Sequence, residues 1–339
     1  MLESGIQTPD GGVARYRLAD EGRNLPVSTE ITGYAASTFA YLYRRTGEAR
    51  YLDAGVRACR FLTRVAWNAE LGTFPFECAA GSPGYFFDCG IIVRGLLAVW
   101  RLTGENELLE IAVTCGESMI RDYLTDTAIH PIISLPERRA WPYERRWSRE
   151  PGCFQLKSAL AWRDLGVETQ GPHFRQAWSQ ALQFALANDP VFLPGAAECE
   201  KVMDRLHAYC YYVEALLAEP AHAAALAEAI ERASAYLRDL APRFARSDVY
   251  GQLLRIRLFA DVLGLVPLNA TQAAEEAAAI PGFQFASPDP ALDGGFCFGR
   301  KGDLLPYVNP VSTAFCAQAL DLWRLHPAGE FRPALDELI

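Results

Sequence analysis

The chain has 339 residues, half of them hydrophobic, with 41 acidic against 32 basic side chains and a net charge of −9. Its 26 glycines and 21 prolines are ordinary globular usage, which excludes disordered, collagenous and low-complexity chains. The acidic balance argues against a nucleic-acid partner, which requires a basic face.

No apolar run reaches the roughly 18 residues of a membrane span. The best candidate, Ile91 to Trp100, is short and interrupted by Arg94. The start, Met1 to Gly5, has neither the basic nor the apolar region of a secretory leader. The nine cysteines, at 59, 78, 89, 115, 153, 199, 210, 297 and 316, include no C-x-x-C pair. Reduced thiols in a cytoplasmic protein are expected, most of them small core residues. Cys89, Cys199, Cys210 and His207 match no zinc-binding spacing, and neither a metal nor an organic cofactor is expected.

In chain order, apolar periodicity predicts helices near 31–45, 49–65, 89–102, 106–123, 153–165, 173–188, 206–218, 221–239, 248–263, 270–279 and 311–325, with a weaker pattern at 331–338. Two segments align without gaps. Tyr43 to Ala54 and Trp100 to Ile111 each read as helix, Thr-Gly-Glu turn, helix, and they are 57 residues apart, about one sixth of the chain. A looser copy runs from Trp162 to Gly166 and resumes at Phe174. Helices that begin each pair are rich in small and apolar residues, whereas those that follow carry charge on one face. The prediction is an all-α fold, an (α/α)6 toroid of six helical hairpins with inner and outer rings. One domain spans 1–339, with residues 1–29 an extension packing on the toroid. Leu71 to Glu77 and Asp293 to Gly299 are expected as small β-hairpins or packed turns at one rim.

The segments Glu30-Ile31-Thr32-Gly33-Tyr34, Phe87-Asp88-Cys89-Gly90 and Leu206-His207-Ala208-Tyr209 resemble bacterial proteins of the six-hairpin glycosidase-type superfamily. That group includes unsaturated glucuronyl hydrolases, N-acylglucosamine epimerases and the helical domain of glucuronyl epimerases. The closest likeness is to polysaccharide-associated members of unknown activity, and it covers roughly residues 30 to 325. It implies the toroid fold and a carbohydrate-acting enzyme, but not one reaction.

In a toroid the starts of the inner helices converge at one end, so polar residues there are the site candidates. Glu30, Asp88 and His207 are the expected proton-transfer groups, because carboxylates in different environments split into acid and base and a histidine titrates near neutrality. For Glu30 and Asp88 the competing reading is helix capping, and for His207 core packing. Tyr34, Tyr85, Tyr209 and Tyr212 are expected to position a sugar ring, with Asn309 beside them. Lys157, Arg255 and Arg300 are expected to neutralise an anionic group. The segment 136–150 holds five arginines and three aromatic residues; Trp141 and Trp147 there are expected to stack on sugars, although three interleaved glutamates also fit an ion-paired loop. Asp10 to Tyr16 is expected to fold over the mouth. The partner expected is a small-molecule or oligosaccharide substrate. The alternatives are a non-catalytic glycan-binding or scaffold protein and, less favoured, a terpenoid-type cyclase. The latter would need acid-rich clusters, and no Asp-Asp pair occurs.

Overall fold

In a computed structural model, which describes residues 2–195, 199–330 and 334–339, the two Thr-Gly-Glu turns are nearly superposable. Gly47 and Gly104 lie at φ 71° and 69°, and each amide donates to a carbonyl one turn back, Tyr43 and Trp100, at 2.8 Å. Only a residue without a Cβ takes that left-handed stop at little cost. The looser third copy differs. Gly166 lies inside its helix, and the left-handed residue is Gln170, at φ 58°. The lack of a Cβ at Gly166 instead lets Arg175 pack closely.

The inner helices are α1 (Thr29–Thr46), α3 (Phe86–Thr103), α5 (Leu156–Glu168), α7 (Cys199–Leu216), α9 (Ser247–Val262) and α11 (Pro310–Leu325). The outer helices are α2 (Ala49–Phe61), α4 (Asn106–Tyr123), α6 (Pro172–Phe192), α8 (Ala223–Leu240) and α10 (Ala270–Ala279). Each inner helix packs on the next and α11 packs on α1, so the ring closes. The fold is the all-α toroid that the repeat predicts. Small residues let the inner helices approach closely: a Cβ on Gly95 would stand 2.4 Å from the Gly33 carbonyl oxygen. Among the described residues no helix is long and apolar enough to cross a membrane.

The predicted outer helix at 331–338 does not form as expected. Residues 331–333 lie outside the described residues, and Leu335–Glu337 makes one 3-10 turn. The segment then enters the ring: Arg94 donates to the carbonyls of Leu335 (2.8 Å) and Leu338 (3.0 Å). A groove of about 560 Å³ runs along α1 and α11, with Phe39, Ala314 and Ala317 among its lining residues.

Short strands pair at one rim. Val27–Ser28 pairs with Val13–Ala14, Gly84–Tyr85 with Ile132–Ile133, Ala245–Arg246 with Gly299–Lys301, and Tyr307–Val308 with Arg17–Leu18. The first strand of each pair leads straight into α1, α3, α9 or α11, which places the strands where those inner helices begin. The segment 71–77 makes one isolated bridge, Thr73 with Asn68, and 293–299 makes two, Phe296 with Gln284 and Cys297 with Val308, its last residue Gly299 opening a strand that pairs with Asp303–Leu304. Phe74 is drawn into the core against Trp67. The N-terminal residues are tied to the ring, with the Val13 amide donating to Thr32 Oγ1 (2.9 Å) and Gln7 Nε2 to the Ala54 carbonyl (3.0 Å).

Candidate active site

A cavity of about 480 Å³ opens where the inner helices begin. Glu30 enters it from the first turn of α1, Asp88 from the first turn of α3, His207 from α7 and Asp248 from the first turn of α9. Arg15 and Tyr16 of the N-terminal segment and Arg146, Trp147 and Arg149 of the arginine-rich loop form part of its wall.

Neither Glu30 nor Asp88 serves as a helix cap. Ser28 caps α1, its hydroxyl accepting from the Ile31 amide, and Tyr85 holds the corresponding place before α3 without a side-chain bond. Asp88 is buried, and its Oδ2 has no hydrogen-bond partner. An unmatched buried carboxylate oxygen is unfavourable unless it is protonated or meets a ligand. Burial, followed by the charge of Glu30, pushes the Asp88 carboxyl well above the ordinary range. Burial likewise raises Glu30 to about 7, against the opposing pull of Arg15. Arg15 is itself shared with Glu77 (2.7 Å) and lies over the Phe76 ring. Two carboxyls coupled in this way titrate as a pair, and near neutral pH the pair retains a proton.

On α7, burial pulls His207 down to about 4, only partly opposed by Asp248. The imidazole is therefore neutral at pH 7. Its Nδ1–H donates to Gln252 Oε1 (2.8 Å), a pairing that leaves Nε2 as the acceptor. Asp248 moves the other way. Burial disfavours its charge, but Arg246 and His207 outweigh burial and hold its carboxyl below the usual range. Arg246 forks onto Asp248 (2.7 and 3.0 Å) and reaches Asp204 (2.6 Å). The cavity thus holds a carboxyl pair that retains a proton and a neutral imidazole, the parts of an acid and a base.

Of the predicted residues, Glu30, Asp88, His207, Tyr85, Trp147 and Asn309 line this cavity. Asn309 does so as the cap of α11, its Oδ1 accepting from Val311 and Ser312. Seven others do not line it. Tyr34 is buried against Phe315. Trp141 sits on the loop beneath the Arg149 guanidinium. Tyr209 donates to Asp189 on α6, and Tyr212 packs beside it, because both face the outer ring. Lys157 and Arg255 are fully buried and paired with Glu214, and both donate to the Ile339 carbonyl at 3.1 Å. Arg300 covers the Phe283 ring. Cys89 turns to Thr73 (3.4 Å) rather than to His207, and the Cys199 side chain lies outside the described residues. Among the described residues no group of three or more His, Cys, Asp or Glu side chains converges to hold a metal ion.

The candidate residues missed three contributors. Asp248, in the first turn of α9, is a polar residue at an inner-helix start and lies outside the predicted set. Arg246 precedes that helix and was overlooked, although Arg-Ser-Asp ahead of an apolar run marks a helix start with a cation beside it. Tyr211, one turn beyond His207, meets that imidazole edge-on at 4.6 Å between ring centres.

No protein-family model matches the sequence, and no curated relative matches it. Solved structures match over nearly the whole length. The cellobiose 2-epimerase of Spirochaeta thermophila is 15% identical, with 94% of this chain and 92% of that one covered and a TM-score of 0.74. The unsaturated glucuronyl hydrolase of Bacillus sp. GL1 is 12% identical over 97% and 95%, at 0.62. An α-1,6-mannanase of Salegentibacter sp. HEL1_6 is 12% identical over 96% of both chains, at 0.57. The likeness is one of fold: the chain shares the all-α toroid of those enzymes.

Proposed function

We propose that the protein is an enzyme acting on a sugar or oligosaccharide, including uronic-acid-containing ones, by general acid/base chemistry. The reading treats 1–339 as one domain. The observation that carries it is the Glu30–Asp88 carboxyl pair, half-buried Glu30 and buried Asp88 with an unpartnered oxygen, lining one ligand-sized cavity with neutral His207. The fold shared with an epimerase, a hydrolase and a mannanase supports it by analogy. A cyclase of apolar substrates fits less well, since charged and polar side chains line the cavity.

Glycosidic hydrolysis is the first reading. Asp88, held protonated, gives its proton to the leaving oxygen as the C–O bond breaks. Water adds to the anomeric carbon and yields a proton to the ionised member of the pair or to His207. Epimerisation is the second, favoured by the neutral imidazole: His207 removes the proton from a carbon next to a carbonyl, the electron pair passing to the carbonyl oxygen as an enolate, and the carboxyl pair returns a proton to the opposite face of that carbon. The two are separated by incubating the protein in D₂O with oligosaccharides. Hydrolysis creates new reducing ends, whereas epimerisation places deuterium on carbon. Glycan binding with no turnover, equal in the native chain and in Asp88→Asn, would overturn the enzyme reading in favour of a binding protein.

A further inference from the structure

A second cavity, of about 860 Å³, adjoins the first, and Arg146 and Trp147 stand in the wall of both. Four cationic side chains line it, Arg145, Arg146, Lys201 and Arg205, against two carboxylates, Glu150 and Asp204. Both carboxylates are already matched: Arg205 holds Glu150 (2.8 Å), and Arg246 reaches Asp204 (2.6 Å). Arg145 and Arg146 are exposed, and among the described residues neither has an ion-pair partner. In a chain of net charge −9 this is a local reversal of sign. A cleft lined by one sign concentrates the opposite charge, and a guanidinium fork fits a carboxylate or sulfate in two-point contact.

We propose that this second cavity is a subsite for an acidic sugar unit, so that the substrate is an anionic oligosaccharide of at least two units. One unit occupies the carboxyl-lined cavity. The next passes Trp147, whose ring is braced edge-on against Phe154 (5.2 Å), and presents its carboxylate or sulfate to Arg145 and Arg146. The proposal rests on the sugar-acting reading of the first cavity. Its own content is the length and charge of what binds.

The test is an array of acidic oligosaccharides (hyaluronan, pectic, alginate and sulfated fragments) and neutral ones (cello-, malto- and manno-oligosaccharides), each from one to four units. It is probed with the full chain and with Arg145→Gln/Arg146→Gln. The expected result is binding to acidic members of two or more units, weakened at least tenfold in the double variant and by raised salt. Binding only to neutral members, binding to none, or acidic binding unchanged in the double variant overturns the subsite. The two failures are distinguishable. Turnover of short neutral sugars that ignores the arginines sinks the subsite and leaves the enzyme. Arginine-dependent acidic binding without any turnover does the reverse.

Discussion

Both ends of the inner ring bury charge, but in opposite ways. At the plugged end, Lys157 and Arg255 grip Glu214, and Arg94 pairs with Asp164 (3.1 Å) while donating to the carbonyls of the 335–339 segment. There burial pulls the Lys157 ammonium down to about 7, and Glu214 only partly offsets it. At the open end the Glu30 charge disfavours that of Asp88, and among the described residues an Asp88 oxygen has neither a hydrogen bond nor a paired cation, whereas Glu214 Oε2, which also lacks a hydrogen bond, has the Lys157 ammonium at 2.9 Å. Depth separates the two. Glu214 and Arg255 each follow His207 and Asp248 by seven residues, two helical turns or about 10 Å. Buried charges that are mutually satisfied hold a fold together; buried charges left unmatched are affordable only where a ligand completes them.

Substitutions at the two ends sharpen that contrast. The largest effect is expected for Asp88→Asn, which should lower turnover by about 10²–10⁴-fold with no fall in thermal stability, since the carboxyl it replaces is already held protonated. A large loss of melting temperature instead would move Asp88 into the structural class. At the other end, Glu214→Ala strands two buried cations and should destabilise by about 3–5 kcal/mol in denaturant unfolding. A nearly neutral result there would break the comparison.

The pH dependence is a finer probe. kcat/KM should rise as His207 loses its proton near pH 4 and fall on the alkaline side, well above the ordinary carboxyl range, as Asp88 gives up its proton. Glu30→Gln, which removes the charge that helps hold the Asp88 proton, should move the alkaline limb to lower pH. The smallest effect concerns stability. Because the folded-state pKa of Glu30 lies above its ordinary 4.5, its charge opposes folding. That penalty is absent below about pH 4.5 and complete above about pH 7. Glu30→Gln should therefore stabilise by about 1–3 kcal/mol at pH 8 and not at pH 4, read from paired denaturant curves.

The helical register and the convergence of inner-helix starts were legible because turn chemistry is local. Gly47 and Gly104 mark their helix ends in the sequence itself, and Glu30 and Asp88 follow from where the helices begin; α7, however, begins at Cys199 rather than near 206, so His207 enters the cavity from two turns inside its helix. What stayed hidden depends on rotation and depth. Tyr209 lies two positions from His207, about 200° around the helix, and so faces the outer ring, whereas Tyr211 at four positions returns beneath the imidazole. Lys157 and Arg255 carry the charge expected of substrate ligands, but the segment 335–339, which makes only a 3-10 turn in place of the expected helix, engages them first.

The joint between α1 and α11 also bears on how the ring assembles. The Tyr41 hydroxyl donates to Asp321 at 2.6 Å across 280 intervening steps of chain, while each helical hairpin closes over a few residues. Contacts of such separation carry the highest loop-closure entropy and form late. Among the described residues, no outer α-helix clasps that joint as α2, α4, α6, α8 and α10 clasp theirs. The ring therefore shuts last, and amide exchange should find it opening first, between its first and last inner helices.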